Sequence, residues 1–308
     1  MSESNLCGRS WERFAAVRLA MLLVPLGGCS GQGNGFMDPA GIVAAAERQM
    51  LFEIAIVTLI VIVPIFVLTP WVVIRYRRKP EAREYLPEWD SSNKLEWAIW
   101  GIPVLIVAGL AYFTWVRTHQ LDPYRTGRAG AGESIEVQVV ALDWKWLFIY
   151  PEQGVASVNE LAIPAGRPVN LYLTSGTVMQ SFHVPRLSGQ IYAMAGMTTQ
   201  LSFRADQAGG FTGRNTQFNG DGFPHQSFAV KAMDSAGFAN WLSSARRSPR
   251  TLDASTYTRL ARPGVVSQPQ LFGSTAPDIF AEIQQISTGT ASGAFGSQRH
   301  ADHRAMPR

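Results

Sequence analysis

The sequence predicts a membrane-anchored chain in which a hairpin of two transmembrane helices is followed by an all-β sandwich and a short C-terminal helical arm. Three observations carry this. Two runs, 50–74 and 97–116, are almost wholly apolar and reach the ~20 residues that a helix needs to cross hydrocarbon. From Ser134 to Met233 short alternating segments are punctuated by Gly, Pro and Asn, the pattern of a small sandwich or barrel. Beyond Asp234 the pattern turns helical. The 308 residues are 46% hydrophobic and only 16% charged, which suits a few spans plus one outer domain. The net charge of +4 is not gathered into a stripe, so a nucleic-acid partner is not expected. The two cysteines, Cys7 and Cys29, exclude a disulfide framework and any thiolate metal site in the outer domain.

Residues 1–28 read as a lipoprotein signal peptide. Arg9, Arg13 and Arg18 precede a run, Leu19–Leu26, that is too short to span a bilayer. The run ends in Leu26-Gly27-Gly28-Cys29, which resembles the bacterial lipoprotein cleavage box and implies that Cys29 is acylated. An ordinary signal peptide containing a cysteine is the plainer alternative. Acyl chains, at ~0.8 kcal/mol per buried methylene, would hold the new terminus at the outer leaflet. Residues 29–49 then form a periplasmic tether, flexible around Gly31–Gly35.

Span 50–74 contains Glu53 and Thr58 as its notable polar side chains. Loop 75–96 opens with Arg75-Tyr-Arg-Arg-Lys79, so the positive-inside rule makes it cytoplasmic. Span 97–116 follows, with Trp97, Trp100, Tyr112 and Trp115 near its ends. Both ends of the mature chain are therefore expected on the periplasmic side, in agreement with a lipidated Cys29. Glu96 stands at the cytoplasmic mouth of the second span. Asn93 and Glu96 have the spacing of a helix-start capping pair. An ionisable group at a membrane mouth is equally a functional candidate.

The outer domain is assigned to 117–233. Its expected strands are Ile135–Val140, Trp144–Tyr150, Val158–Ile163, Pro168–Thr174, Ser181–Pro185, Thr198–Phe203 and Ser227–Ala232. A helical arm, 234–286, is expected to hold helices over Ala236–Ala245, Asp253–Leu260 and Pro277–Ile286. The tail, 287–308, is rich in Gly, Ser, Arg and His and is expected to be disordered. Its His300 and His303 are read as ordinary tail residues.

The lipobox, the spans, Ser92-Asn-Lys-Leu-Glu96, Asp143-Trp-Lys-Trp-Leu-Phe-Ile-Tyr-Pro-Glu-Gln153 and Val178–Met197 together resemble subunit II of the haem-copper respiratory oxidases, over roughly Cys29–Ile286. The resemblance implies a cupredoxin-like sandwich. Members that oxidise cytochrome c hold a dinuclear copper centre there, which needs soft thiolates shared between two ions. In this chain the ligand positions are degenerate. Gln180 stands for the first histidine, Asn215 and Asn219 for the bridging cysteines, and Phe223 for the second histidine. Gln226 stands for the methionine, and Gln217 for the glutamate that gives its carbonyl. His183 and His225 are nearby but off register, and read as loop or surface histidines.

The resemblance is closest to the copper-less, bo-type quinol oxidase branch. It implies a non-catalytic subunit of a proton-pumping complex that oxidises ubiquinol and reduces oxygen to water. No cofactor is expected in this chain, with haems and copper carried by a partner subunit I. Further small membrane subunits and membrane lipid are the other expected partners, and the bacterial inner membrane is the expected location. Glu96 matches the subunit II glutamate at the mouth of a proton pathway. Arg186, Tyr192 and Met194 are expected near a partner. The alternatives are a cytochrome c oxidase subunit II, which Asn215 and Asn219 oppose, and a lipid-anchored metal carrier or assembly factor, which the two long spans oppose.

Overall fold

The computed structural model of the chain describes residues 35–76, 91–120, 122 and 133–287. The expected signal peptide, Cys29, most of the expected cytoplasmic loop and residues 288–308 of the expected tail lie outside the described residues, while Ser287 ends the last helix instead of opening the tail.

Helix α1 (Ile42–Arg75) and helix α2 (Asn93–Gln120) are both long and apolar enough to cross a membrane, and no residue of their most apolar stretches is buried. Side chains such as Ile60, Phe66, Trp100 and Leu105 point outward, as a lipid-facing surface requires. Helix α1 begins eight residues before the expected span. Ala44–Ala46, Glu47 and Gln49 are strong helix formers, so the helix continues past the apolar run and residues 42–49 are not tether. Helix α2 begins at Asn93, and Ser92 O accepts from the Glu96 N–H at 2.9 Å. Ser92 therefore takes the N-cap position, and the expected Asn93 cap is shifted by one residue. Arg117 Nη2 reaches both carboxylate oxygens of Glu53, at 2.8 and 2.9 Å, and so ties the C-terminal part of α2 to the N-terminal part of α1. Gln49 also donates to Glu53, and the Arg117 guanidinium lies 5.2 Å from the Phe113 ring centroid. A lone charge in hydrocarbon is costly, so pairing is the low-energy arrangement.

The sandwich is built from β1 (Ile135–Leu142), β2 (Lys145–Tyr150), β3 (Val155–Val158), β4 (Glu160–Pro164), β5 (Val169–Ser175), β6 (Gln180–His183), β7 (Gln190–Ala193), β8 (Thr199–Phe203), β9 (Gly209–Asn215) and β10 (Ser227–Met233). The arm adds α3 (Ser235–Arg246), β11 (Thr251–Leu252), α4 (Ala254–Leu260), β12 (Gln270–Phe272), β13 (Ser274–Thr275) and α5 (Ile279–Ser287). One sheet runs β12-β3-β2-β1-β5-β8 and faces a second, β4-β10-β9-β6-β7. The pairs β1–β5 and β4–β10 are parallel, and the remaining sandwich pairs are antiparallel. Between the sheets lies an aromatic core. Phe228 stacks on Phe182 at 5.0 Å and touches Trp146 and Phe148 at 5.6 and 5.2 Å. Each such ring contributes on the order of 2–3 kcal/mol by leaving water.

The expected strand Val158–Ile163 is broken at Asn159, whose φ of 57° bends the chain. Its side chain fills the break, accepting from the Trp146 N–H at 2.8 Å and donating to Val266 O at 2.9 Å. Strand β2 shows no alternation because the arm covers its outer face. Leu147 and Ile149 join Tyr257, Ile279, Phe280 and Ile283 in a second apolar cluster. Lys145 is buried in the same place, and its Nζ donates to Leu260 O and Arg262 O at 2.9 and 2.7 Å. Helix α3 is held by Trp241 Nε1, which donates to Glu160 at 2.7 Å, while Lys231 pairs with the same carboxylate at 2.7 Å.

The segment before α1 straps onto the sandwich. Ala40 N–H donates to Arg186 O at 2.7 Å and Asp206 N–H donates to Ala40 O at 3.0 Å. Arg186 pairs with Asp38 at 2.7 Å and lies over the Phe211 ring. At Gly41 the backbones approach so closely that a Cβ would sit 2.5 Å from Arg204 O.

Candidate functional site

Four of the degenerate ligand positions meet at one end of the sandwich. Gln180 opens β6, Asn215 closes β9, and Gln226 immediately precedes β10, so three strands of one sheet converge there. Asn219 hangs from the connecting loop, which closes with a single 3-10 turn, Phe223–His225. Gln180, Asn215 and Gln226 are 0, 4 and 2% exposed, which leaves water almost no part in their hydrogen bonding.

The amides bond to one another. Gln226 Oε1 accepts from Asn215 Nδ2 at 3.0 Å and Asn219 Nδ2 at 2.7 Å. Gln226 Nε2 donates to Gln180 Oε1 and, at 3.1 Å, to Leu142 O. Asn215 Oδ1 accepts from the N–H groups of Ser181 and Gln217, at 2.9 and 3.0 Å, and Asn215 Nδ2 also donates to Gln217 O at 2.7 Å. Both central amides thereby use two donors and two acceptor positions, their full capacity. Gln180 Nε2 donates outward to Thr177 Oγ1 at 3.2 Å. Buried polar groups cost little only when paired in this way.

The loop is held from outside by Trp144. The two-residue turn Asp143-Trp144 joins β1 to β2, and Trp144 has a left-handed φ of 67°. Its indole lies against Gly222, where any Cβ would clash with the ring, and its Nε1 donates to Asn219 O at 3.2 Å.

This donor set does not fit a dinuclear copper centre. An amide nitrogen offers no lone pair, and the oxygens of Gln226 and Asn215 already accept two hydrogens each. Phe223 packs on Phe218 at 5.7 Å. The Gln217 carbonyl accepts from Asn215. Among the described residues no three His, Cys, Asp or Glu side chains are grouped to hold a metal ion. His183 pairs across the sheet with Arg214. Burial, with the neighbouring guanidinium adding to it, pushes its imidazole below the ordinary histidine range. His225 is exposed on the 3-10 turn.

The other expected site residues lie elsewhere. Glu96 is exposed in the first turn of α2. It is 24 residues, or about 36 Å of helix, from Gln120 at the other end. Cys29 lies outside the described residues. Arg186, expected near a partner, is committed within the chain to Asp38. Sequence reasoning missed Trp144 as a clamp, the Glu53–Arg117 pair and the buried Lys145. The unusual charges Glu53 and Lys145 were visible, but their partners are 64 residues and more than 100 residues away.

Comparison with known proteins agrees with this architecture. The family model described as "Cytochrome C oxidase subunit II, periplasmic domain" matches residues 136–233. The chain is 41% identical over 262 residues to cytochrome bo(3) ubiquinol oxidase subunit 2 of Pseudomonas putida, covering 85% of this chain and 82% of that protein. It is 39% identical over 298 residues to the protein of the same name from Pseudomonas aeruginosa, covering 95% and 88%. It is 41% identical over 248 residues to ubiquinol oxidase subunit 2 of Acetobacter aceti, covering 80% of each. With the two apolar helices and the cupredoxin-like sandwich, these likenesses place the chain in the ubiquinol oxidase subunit 2 family of respiratory oxidase subunits.

Proposed function

We propose that this chain is the copper-free, non-catalytic subunit II of a proton-pumping ubiquinol oxidase in a bacterial inner membrane. The observation that carries the reading is the amide network of Gln180, Asn215, Asn219 and Gln226, in which the Asn215 and Gln226 amides are fully paired. A domain whose ligand positions bond to one another has no acceptor for an electron from cytochrome c. Electrons then enter the complex from quinol, outside this chain. Haems and copper belong to the partner subunit I, with further small membrane subunits completing the complex. This chain anchors and shapes the assembly through its hairpin and sandwich. Acylation of Cys29 adds a second hold on the outer leaflet.

Glu96 serves proton uptake in this reading. Its support is its place, an exposed carboxylate in the first turn of α2, on the side that the basic loop makes cytoplasmic. A solvent-linked carboxylate there collects protons for delivery inward.

The test is copper loading. The full chain in neutral detergent is incubated with copper(I) and copper(II), desalted, and read by metal analysis and electron paramagnetic resonance. The reading expects no retained stoichiometric copper and no mixed-valence signal. Retention of two copper ions per chain would overturn it.

A further inference from the structure

The arm lies outside the stretch that the family model matches, and one part of it carries chemistry that the amide site does not use. Between Arg246 and Arg262, five arginines face solvent: Arg246, Arg247, Arg250, Arg259 and Arg262. The only carboxylate in that segment, Asp253, is committed to the start of α4. It accepts from the Thr256 N–H at 2.7 Å and the Ser255 hydroxyl at 2.9 Å. These bonds, with Arg259 adding to them, hold its carboxyl below the usual range. Among the described residues none of the five arginines forms an ion pair within salt-bridge distance.

Two of them line one cleft. Arg250 and Arg259 line a cleft of about 430 Å³ with Thr251 and Thr256, beside the apolar surface of Leu260 and Phe272. Arg259 Nη2 donates to Thr256 Oγ1 at 2.9 Å, which fixes that guanidinium at the cleft. The Thr256 side chain is bonded to Asp253, and Thr251 Oγ1 shares a 2.9 Å bond with Ser274 Oγ. Two planar, permanently charged forks match the acceptors of a tetrahedral oxyanion, which takes bidentate bonds from arginine. The volume exceeds what a bare oxyanion fills, and the apolar wall offers room for a substituent.

We propose that this cleft is a binding site for a phosphate group, with Arg250 and Arg259 supplying the charge and Thr251 a hydroxyl at its edge. The group belongs either to a soluble phosphate or to the headgroup of an anionic phospholipid.

The full chain in neutral detergent is titrated calorimetrically with inorganic phosphate. In separate runs it is titrated with a short-chain phosphatidylglycerol and with a short-chain phosphatidylcholine as control. Each titration is repeated with the Arg250→Ala/Arg259→Ala pair and the Arg250→Lys/Arg259→Lys pair. Saturable binding that weakens by about ten-fold or more in the alanine pair, and less in the lysine pair, is expected. Binding of inorganic phosphate identifies a soluble ligand. Binding of phosphatidylglycerol alone, above the phosphatidylcholine control, identifies a headgroup. Unchanged thermal melting of the alanine pair without ligand shows that the fold is intact. No saturable binding of either probe, or equal binding by the alanine pair, overturns the proposal.

Discussion

Replacing Gln226 by methionine tests whether the amides hold the degenerate site together. The side chains are similar in volume, so packing is nearly kept. The structure specifies what is lost. Gln180 Oε1 and Asn219 Nδ2 each lose the partner they have in the network, and Leu142 O loses one donor. Asn215 keeps its bond to Gln217 O. A buried polar group left unpaired costs about 1–3 kcal/mol, so the two stranded amides alone amount to about 2–6 kcal/mol. For a domain of this size that lowers Tm by about 4–24 °C. The assay is thermal melting of the full chain in detergent, followed by near-ultraviolet circular dichroism of the sandwich aromatics. Gln226→Glu sharpens the test, because a carboxylate cannot donate to Leu142 O and Gln180 Oε1. Burial would raise that carboxyl's folded pKa above the unfolded value of about 4.3, so its penalty should grow as pH rises from there. A Tm change of less than about 2 °C in Gln226→Met would mean that the stranded amides find water at no cost, and would refute the reasoning.

Three further outcomes are expected. The His183 imidazole titrates lower in the fold than in the unfolded chain, so the unfolded state takes up a proton first as pH falls. Stability from this group is therefore intact above the ordinary value of 6.5 and declines as pH drops below it, and His183→Gln should flatten that part of the pH–stability curve. Arg117→Ala strands Glu53 in the hairpin and should reduce the yield of inserted, assembled complex more than the double change Glu53→Gln/Arg117→Gln; equal losses would remove the pair's significance. Glu96→Gln should slow turnover with assembly intact, and unchanged turnover would leave Glu96 as a helix-start residue only.

Features set by local pattern were legible in the sequence, and features set by distant partners were not. The spans, the arm helices and most strands follow from apolar length, caps and alternation. Strand β9, Gly209-Gly-Phe-Thr-Gly-Arg-Asn215, was not visible because its glycines have no strand preference; pairing with β10 and β6 imposes the conformation. Strand β12 is an edge strand created by the arm folding back on β3. The first two turns of α1 read as tether in the sequence because apolar length marks only the membrane-crossing part of the helix. At the site, the resemblance located the positions, and the structure brings Gln180, Asn215, Asn219 and Gln226 within hydrogen-bonding distance of one another. That the Asn215 and Gln226 amides would pair to full capacity was not legible, because it depends on side-chain orientation across three strands.

The central claim is that electrons reach the complex from quinol and not through this domain. The direct measurement is oxygen uptake by the purified complex, offered ubiquinol and reduced cytochrome c in separate runs. Uptake with ubiquinol alone is the predicted result. Sustained uptake with reduced cytochrome c would contradict the account, because it requires an electron acceptor where the amide network stands.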